Sequence, residues 1–210
     1  MSDVRFSRGM TAAEVVEKIV AMNGAIKVLH FPIYVPEKGL DETDIIQPSL
    51  TRLIYHKQLS AHTILSLRRE ELITDRIKKS IALLGAPDTP SAMGVYSSVM
   101  VGDNTFHITM MDFYGGPSGE YARERLTRIY TFLHFIKQKG VLLFSGRGYH
   151  FYSSDLMEEA EWRGFIGQCG RSRLVNPRFI FHVIENGCVT LRLSACSLRP
   201  VIPTVTNIID

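Results

Sequence analysis

Residues 145–150, in the order Ser-Gly-Arg-Gly-Tyr-His, bring together side chains that suit anion binding. The two glycines allow the backbone to approach a ligand closely, because they carry no side chain. Arg147 supplies a planar guanidinium that suits phosphate oxygens, and Ser145 and His150 supply further hydrogen-bonding groups. The combination predicts a phosphate pocket. The alternative is a bend between strands in which Ser145 bonds the backbone and His150 is satisfied in the core.

The elements around this run follow from apolar patterns. Residues 141–144 predict a strand directly before it, and residues 118–139 predict a helix that Ser118 caps and Gly140 ends. Residues 95–101 and 105–113 predict two strands joined by a hairpin turn. The second of these strands leads into a polar loop over residues 112–116.

The rest of the chain carries weaker signals. Further helices are predicted over residues 10–22, 66–84 and 155–169, and further strands over 25–35, 179–184 and 188–193. Residues 36–62 are typical of a long loop, with a turn of helix near 50–55. A Pro-rich stretch at 86–90 predicts a boundary between an N-terminal helix and strand region, 1–86, packed on a core of residues 87–210.

Composition limits the classes of protein. With 210 residues, 45% hydrophobic and 21% charged, the chain suits one sizeable globular core. The net charge of +3 is compatible with a polyanionic ligand. No apolar stretch reaches membrane-spanning length and no secretory signal begins the chain, so a cytoplasmic protein is expected. Three cysteines without a CxxC pair favour neither a disulfide framework nor a structural zinc site.

Several segments resemble motifs of the archaeo-eukaryotic primase superfamily, which includes primase small subunits and primase-polymerases. The run at 145–150 is similar to its motif of a small residue, glycine and histidine. Residues 109–114 resemble its strand that ends in two acids, and residues 175–177 resemble the segment with its third acid. Residues 191–200 are similar to the segment whose arginine contacts the incoming triphosphate. The resemblance spans residues 95–203.

This resemblance implies roles for individual residues. In the superfamily the acids hold two divalent metals during nucleotidyl transfer, and a histidine and an arginine neutralise phosphate charge. Asp112 matches the first metal-binding acid, and Asp112 and His150 are the implied catalytic residues. Ser145, Arg147, His150 and Arg192 are the implied nucleotide-binding residues.

The resemblance also implies an architecture. The expected fold class is α+β, with mixed or antiparallel sheets, an RNA-recognition-like core and flanking helices. In that fold the Asp112 loop, His150 and Arg192 should converge on one cleft.

Two positions depart from the superfamily pattern. Tyr114 stands at the second acid and Asn176 at the third. A two-metal site needs more anionic ligand than Asp112 alone supplies. We therefore expect phosphate binding to be kept, bound Mg²⁺ or Mn²⁺ to be weak or absent, and nucleotidyl transfer to be impaired. The superfamily's small zinc module has no counterpart, so no zinc is expected.

The expected ligands are a nucleoside triphosphate, DNA or RNA, with a protein partner in a replication or mobile-element system and no membrane. Two alternatives stay open. One is an active DNA primase or polymerase with an unorthodox metal site, and the other is a non-catalytic interaction protein in which residues 145–148 form only a bend. A hydrolase is disfavoured, because Ser145 lies outside a GxSxG elbow and no acid is spaced to complete a triad with His150.

Overall fold

A computed structural model describes residues 6–36, 63–72, 79, 81, 88–114 and 120–210. Its helices are Ala12–Met22 (α1), Arg69–Leu72 (α2), Glu120–Phe135 (α3), Glu159–Arg171 (α4) and Pro177–Asn186 (α5). Its strands are Ile26–Tyr34 (β1), Thr63–Arg68 (β2), Ala92–Tyr96 (β3), Ser98–Val101 (β4), Asn104–Tyr114 (β5), Gly140–Phe144 (β6), Gly148–Glu158 (β7), Thr190–Arg192 (β8) and Thr204–Ile209 (β9).

The nine described strands form one sheet in the order β8-β3-β1-β4-β5-β7-β6-β9, with β2 paired to β1. All pairings between these strands are antiparallel. The predicted α+β class with a mixed or antiparallel sheet is confirmed. No helix in the described residues is long and apolar enough to cross a membrane.

The long strands β5 and β7 form the middle of the sheet. They carry fully buried side chains on both faces of the sheet, among them Met110, Phe113, Phe151 and Tyr152. The β4–β5 hairpin closes with Val101 opposite Asn104, as the sequence predicts, and its turn uses a glycine with positive φ. The β6–β7 hairpin is the one that carries residues 145–148. The pairing of each hairpin therefore fixes the point at which its connecting loop leaves the sheet.

The N-terminal residues are part of this same sheet and core. Helix α1 begins with a capping box between Thr11 and Glu14, and its apolar face is buried against β7. Strand β1 pairs with β2, β3 and β4. The division at residue 86 stays a prediction, and the described residues before it share one hydrophobic core with those after it.

The strand expected over residues 179–184 is wrong, because these residues lie in helix α5. Asn176 caps the helix by accepting a hydrogen bond from the Arg178 amide, Pro177 occupies the first turn, and Gly187 ends it in a left-handed conformation. These are the usual signals of a helix start and stop. A short apolar run fits either period, so the flanking residues carried the decisive information.

Two predicted helices begin too early. Residues 66–68 of the helix expected over 66–84 lie in β2, and a helix begins at Arg69. Residues 155–158 of the helix expected over 155–169 extend β7, where Phe106 pairs with Glu158. In both cases strand pairing overrides local helix propensity. Most of the remainder of the first helix lies outside the described residues, as do the helical turn at 50–55 and the Ser118 cap.

Gly140 lies at the start of β6, where β6 packs closely against β7, and its substitution tests how tightly this hairpin is packed. It has a φ of +154°, and an added Cβ would collide with the carbonyl oxygen of Tyr152. We expect Gly140→Ala to destabilise the fold by roughly 3 kcal/mol, which should lower Tm by about 10 °C in thermal unfolding. Gly164→Ala is the matched control, because Gly164 lies on an exposed face of α4 with no atom near the added Cβ. The control should raise Tm slightly, and an equal loss in both variants would contradict the steric argument.

Candidate functional site

A cavity of about 570 Å³ lies where the ends of β5, β7 and β8 meet α5. Its volume is in the range of small-molecule sites. Its lining includes charged and polar side chains, namely Asp112, Ser145, Arg147, His150, Arg192 and Arg199. It also includes aromatic and apolar side chains, among them Tyr34, Tyr96, Phe179 and Val183, and Tyr34 lies close enough to Arg192, Asp112 and Arg199 for their charges to act on its pKa. All the site residues expected from the sequence therefore line one cavity.

The loop at Ser145 has an internal structure that occupies its hydroxyl. Both the amide and the hydroxyl of Ser145 donate to the carbonyl oxygen of Gly148, at 3.0 and 3.1 Å. Gly146 has a φ of +99° and lies against the side chain of Val201. A residue with a side chain would be strained there. Ser145 therefore behaves as in the alternative of a bend between strands, because its hydroxyl bonds the backbone of its own loop.

Asp112 and His150 lie opposite each other on β5 and β7. The Asp112 Oδ1 and His150 Nε2 atoms are 3.9 Å apart, which is too long for a hydrogen bond. His150 is only 5% exposed, and its Nδ1 has no hydrogen-bond partner among the described residues. Buried polar atoms are nearly always paired. A simple strand bend predicts a core histidine whose ring nitrogens are hydrogen-bonded. Among the described residues, His150 lacks such a partner at Nδ1.

Burial sets the charge states of this pair. Burial raises the pKa of Asp112 to about 7, although Arg192 and Arg199 act in the opposite direction. The side chain keeps 43% exposure, but the exposed part borders the cavity. Burial, helped by the charge of Arg192, lowers the pKa of His150 to about 3. At neutral pH the imidazole is therefore uncharged and offers a hydrogen bond, while Asp112 is close to its titration midpoint.

Arg192, at the end of β8, is 6% exposed. Its Nη1 donates to the carbonyl oxygens of Ser194, Arg199 and Val201, and its Nη2 donates to that of Ser145 at 2.8 Å. Burial lowers its pKa, although the guanidinium stays charged at neutral pH. Arg192 thus borders the cavity while most of its hydrogen-bonding capacity is directed at the backbone.

Two further arginines, Arg147 and Arg199, line the cavity. Arg147 is exposed and has no hydrogen bond or ion pair within the described part of the chain. Arg199 is half-buried, and burial together with the charge of Arg147 lowers its pKa. The sequence analysis did not single out Arg199, although it lies in the segment 191–200 that carries Arg192. It is a basic residue next to a proline, five positions before β9 begins, and no apolar period distinguished it from a surface arginine.

Sequence analysis also missed the aromatic residues that line the cavity. Tyr34 reaches the cavity from β1 and Tyr96 from β3, so both come from strands distant in sequence from residues 145–150. Burial raises the pKa of Tyr34 to about 12, which keeps its phenol protonated. Phe179 and Val183 face the cavity from α5, a consequence of that segment being helical. These aromatic and apolar side chains can hold the flat, weakly polar part of a ligand.

The described lining residues do not by themselves fit a two-metal centre. Asp112 is the one carboxylate among them. Tyr114 and Asn176 also line the cavity, but Tyr114 packs under the guanidinium of Arg125 and the Asn176 side chain caps α5. No group of three or more His, Cys, Asp or Glu residues in the described ranges could hold a metal ion. Mg²⁺ and Mn²⁺ prefer several oxygen anions, which these residues do not provide.

Comparison with known proteins agrees with the motifs. Residues 70–201 match a family described as AEP-like, archaeo-eukaryotic primase 1D-like, over more than half of the chain. The matched range contains the polar lining residues Asp112, Ser145, Arg147, His150, Arg192 and Arg199. No curated protein and no solved structure matches the chain. The resemblance inferred from the sequence is confirmed, and the chain belongs to the archaeo-eukaryotic primase-like family.

Proposed function

We propose that this primase-like protein binds the phosphates of a nucleotide or of a nucleic-acid end in the cavity, and that its nucleotidyl transfer is impaired. The observation that carries the proposal is the charge of the cavity lining, where the described residues include three arginines and one carboxylate. Positive charge that is held in a partly desolvated cavity attracts anions more strongly than it does at an open surface. Phosphate is the anion that guanidinium groups bind with the best geometry.

Two further features support a nucleotide over a free phosphate. The cavity volume of about 570 Å³ exceeds what a single phosphate fills and suits a drug-sized ligand. The cavity lining also includes the aromatic side chains of Tyr34, Tyr96 and Phe179, on which a base could stack while the arginines bind its phosphates. His150 and Arg192 border this common space, which favours binding over an interaction protein in which they would serve separate surroundings.

Impaired transfer follows from the missing anions. Nucleotidyl transfer through two metals needs carboxylates to fix both ions, and here Asp112 is flanked by Arg192 and Arg199. Tyr114 and Asn176 line the cavity, but both are neutral, and they contact Arg125 and the Arg178 amide respectively. The side chains that remain can hold and orient phosphates but offer little to a divalent cation. Regulation or accessory binding in a replication or mobile-element system fits this balance, with DNA or RNA as the polymeric ligand.

His150 provides the first test of binding. We expect His150→Ala to weaken binding of a nucleoside triphosphate by about ten- to a hundredfold, because a hydrogen bond to a charged group contributes roughly 1.5–3 kcal/mol. Isothermal titration calorimetry in EDTA measures this without metal. His134→Ala is the control, since His134 is exposed on α3 and does not border the cavity. Equal affinity in the two variants would remove His150 from the site.

Asp112 predicts the pH dependence. Its pKa of about 7 makes it mostly anionic at pH 8 and mostly neutral at pH 6. The anion repels phosphate, so metal-free nucleotide binding should strengthen as the pH falls from 8 to 6. Asp112→Asn should bind at pH 8 about as tightly as the unmodified protein binds at pH 6. The terminal phosphate also titrates near pH 6, so the two proteins are compared at each pH, and identical pH profiles would contradict the prediction.

Catalysis has its own test. We expect no efficient template-dependent incorporation of nucleotides with Mg²⁺ or Mn²⁺, because Asp112 is the one carboxylate among the described residues that border the cavity. A primer-extension assay with purified protein measures this. Incorporation that Asp112→Asn abolishes would instead establish the active primase or polymerase alternative, and a contaminating polymerase would be unaffected by that substitution.

A further inference from the structure

Arg192 is a buried cation whose hydrogen bonds are made to backbone carbonyl oxygens. Its guanidinium donates to four backbone carbonyl oxygens and is 6% exposed. Three of the bonds come from Nη1 alone, so that nitrogen has no capacity left for a ligand. A guanidinium that caps several carbonyls in this way fixes backbone segments relative to each other.

The four carbonyls belong to two separate segments. Ser145 begins the β6–β7 loop, while Ser194, Arg199 and Val201 lie between β8 and β9. The two segments also touch directly, because Gly146 lies against the side chain of Val201. Arg192 therefore ties together two loops that are about fifty positions apart in the sequence.

Each tied loop carries one arginine that borders the cavity. Arg147 comes from the first loop and Arg199 from the second. The two like charges are close enough that Arg147 contributes to the lowered pKa of Arg199. Holding them together opposes their repulsion, and an anion placed between them would remove it.

We propose that Arg147 and Arg199 form the phosphate clamp of this cavity, and that Arg192 acts as a positioning residue that holds both loops in place. The proposal rests on the proposed function, since it names which cations of that site contact the ligand. The ligand class is a chain of linked phosphates, because guanidinium groups on separate loops can each bind a different phosphate. Arg199 thereby gains a role that its position in the sequence did not suggest.

The clamp is tested with inorganic tripolyphosphate and with a nucleoside triphosphate, both titrated in EDTA by calorimetry. We expect Arg147→Gln and Arg199→Gln each to weaken both ligands by about ten- to a hundredfold while leaving Tm nearly unchanged. Arg128→Gln removes the same charge from an exposed position on α3 and should bind like the unmodified protein. Arg199→Gln binding as tightly as Arg128→Gln would overturn the clamp, and the proposed function would stand.

The positioning role is tested with Arg192→Lys, which keeps the charge but cannot bridge both loops. We expect weaker binding together with faster amide hydrogen exchange in residues 145–148 and 194–201. Because Arg192 acts through Arg199, its substitution should cost less affinity in an Arg199→Gln background than in the unmodified protein. Equal costs in both backgrounds, or slow exchange in both loops, would overturn the positioning role. Failure of the unmodified protein to bind either probe would overturn the proposed function and this inference together.

Discussion

The antiparallel pairing of β5 with β7 is the constraint on which the site depends. It sets Asp112 directly opposite His150 and fixes where the β6–β7 loop leaves the sheet. Because side chains alternate between the two faces of a strand, a slip by one position would turn one of these two side chains to the opposite face of the sheet and separate it from the other. The fully buried residues along both strands make such a slip costly. The cavity therefore takes its geometry from the most tightly packed part of the molecule.

Charge balance decides what this geometry can do. Desolvation leaves Asp112 near its midpoint and His150 uncharged at neutral pH, so among the described lining residues the charges that persist are those of the three arginines. Guanidinium groups suit phosphate oxygens, whereas a two-metal site needs more carboxylate than Asp112 alone supplies. The proposed binding without efficient turnover rests on this balance.

Two of the errors of local prediction share one physical cause, which is strand pairing with residues distant in the sequence. Residues 155–158 and 66–68 carry helix-compatible patterns, but partners from distant strands supply hydrogen bonds that extend β7 and β2. Residues 179–184 show the opposite case, where an apolar run resembled a strand and became a helix between an Asn-Pro start and a Gly stop. Propensity is a weak preference that tertiary pairing overrides, whereas capping residues act locally and could have been read.

The sequence by itself determined the family, the α+β class and the residues that converge, because these depend on short motifs and on apolar periodicity. Only the tertiary structure decided how those residues are used. The Ser145 hydroxyl serves its own loop, and the Arg192 guanidinium is directed at backbone carbonyls. Arg199 joins the site from the same segment as Arg192, and Tyr34 joins it from the distant strand β1. Hydrogen-bond partners and neighbours across a cavity depend on the whole chain packing together, and no local pattern encodes them.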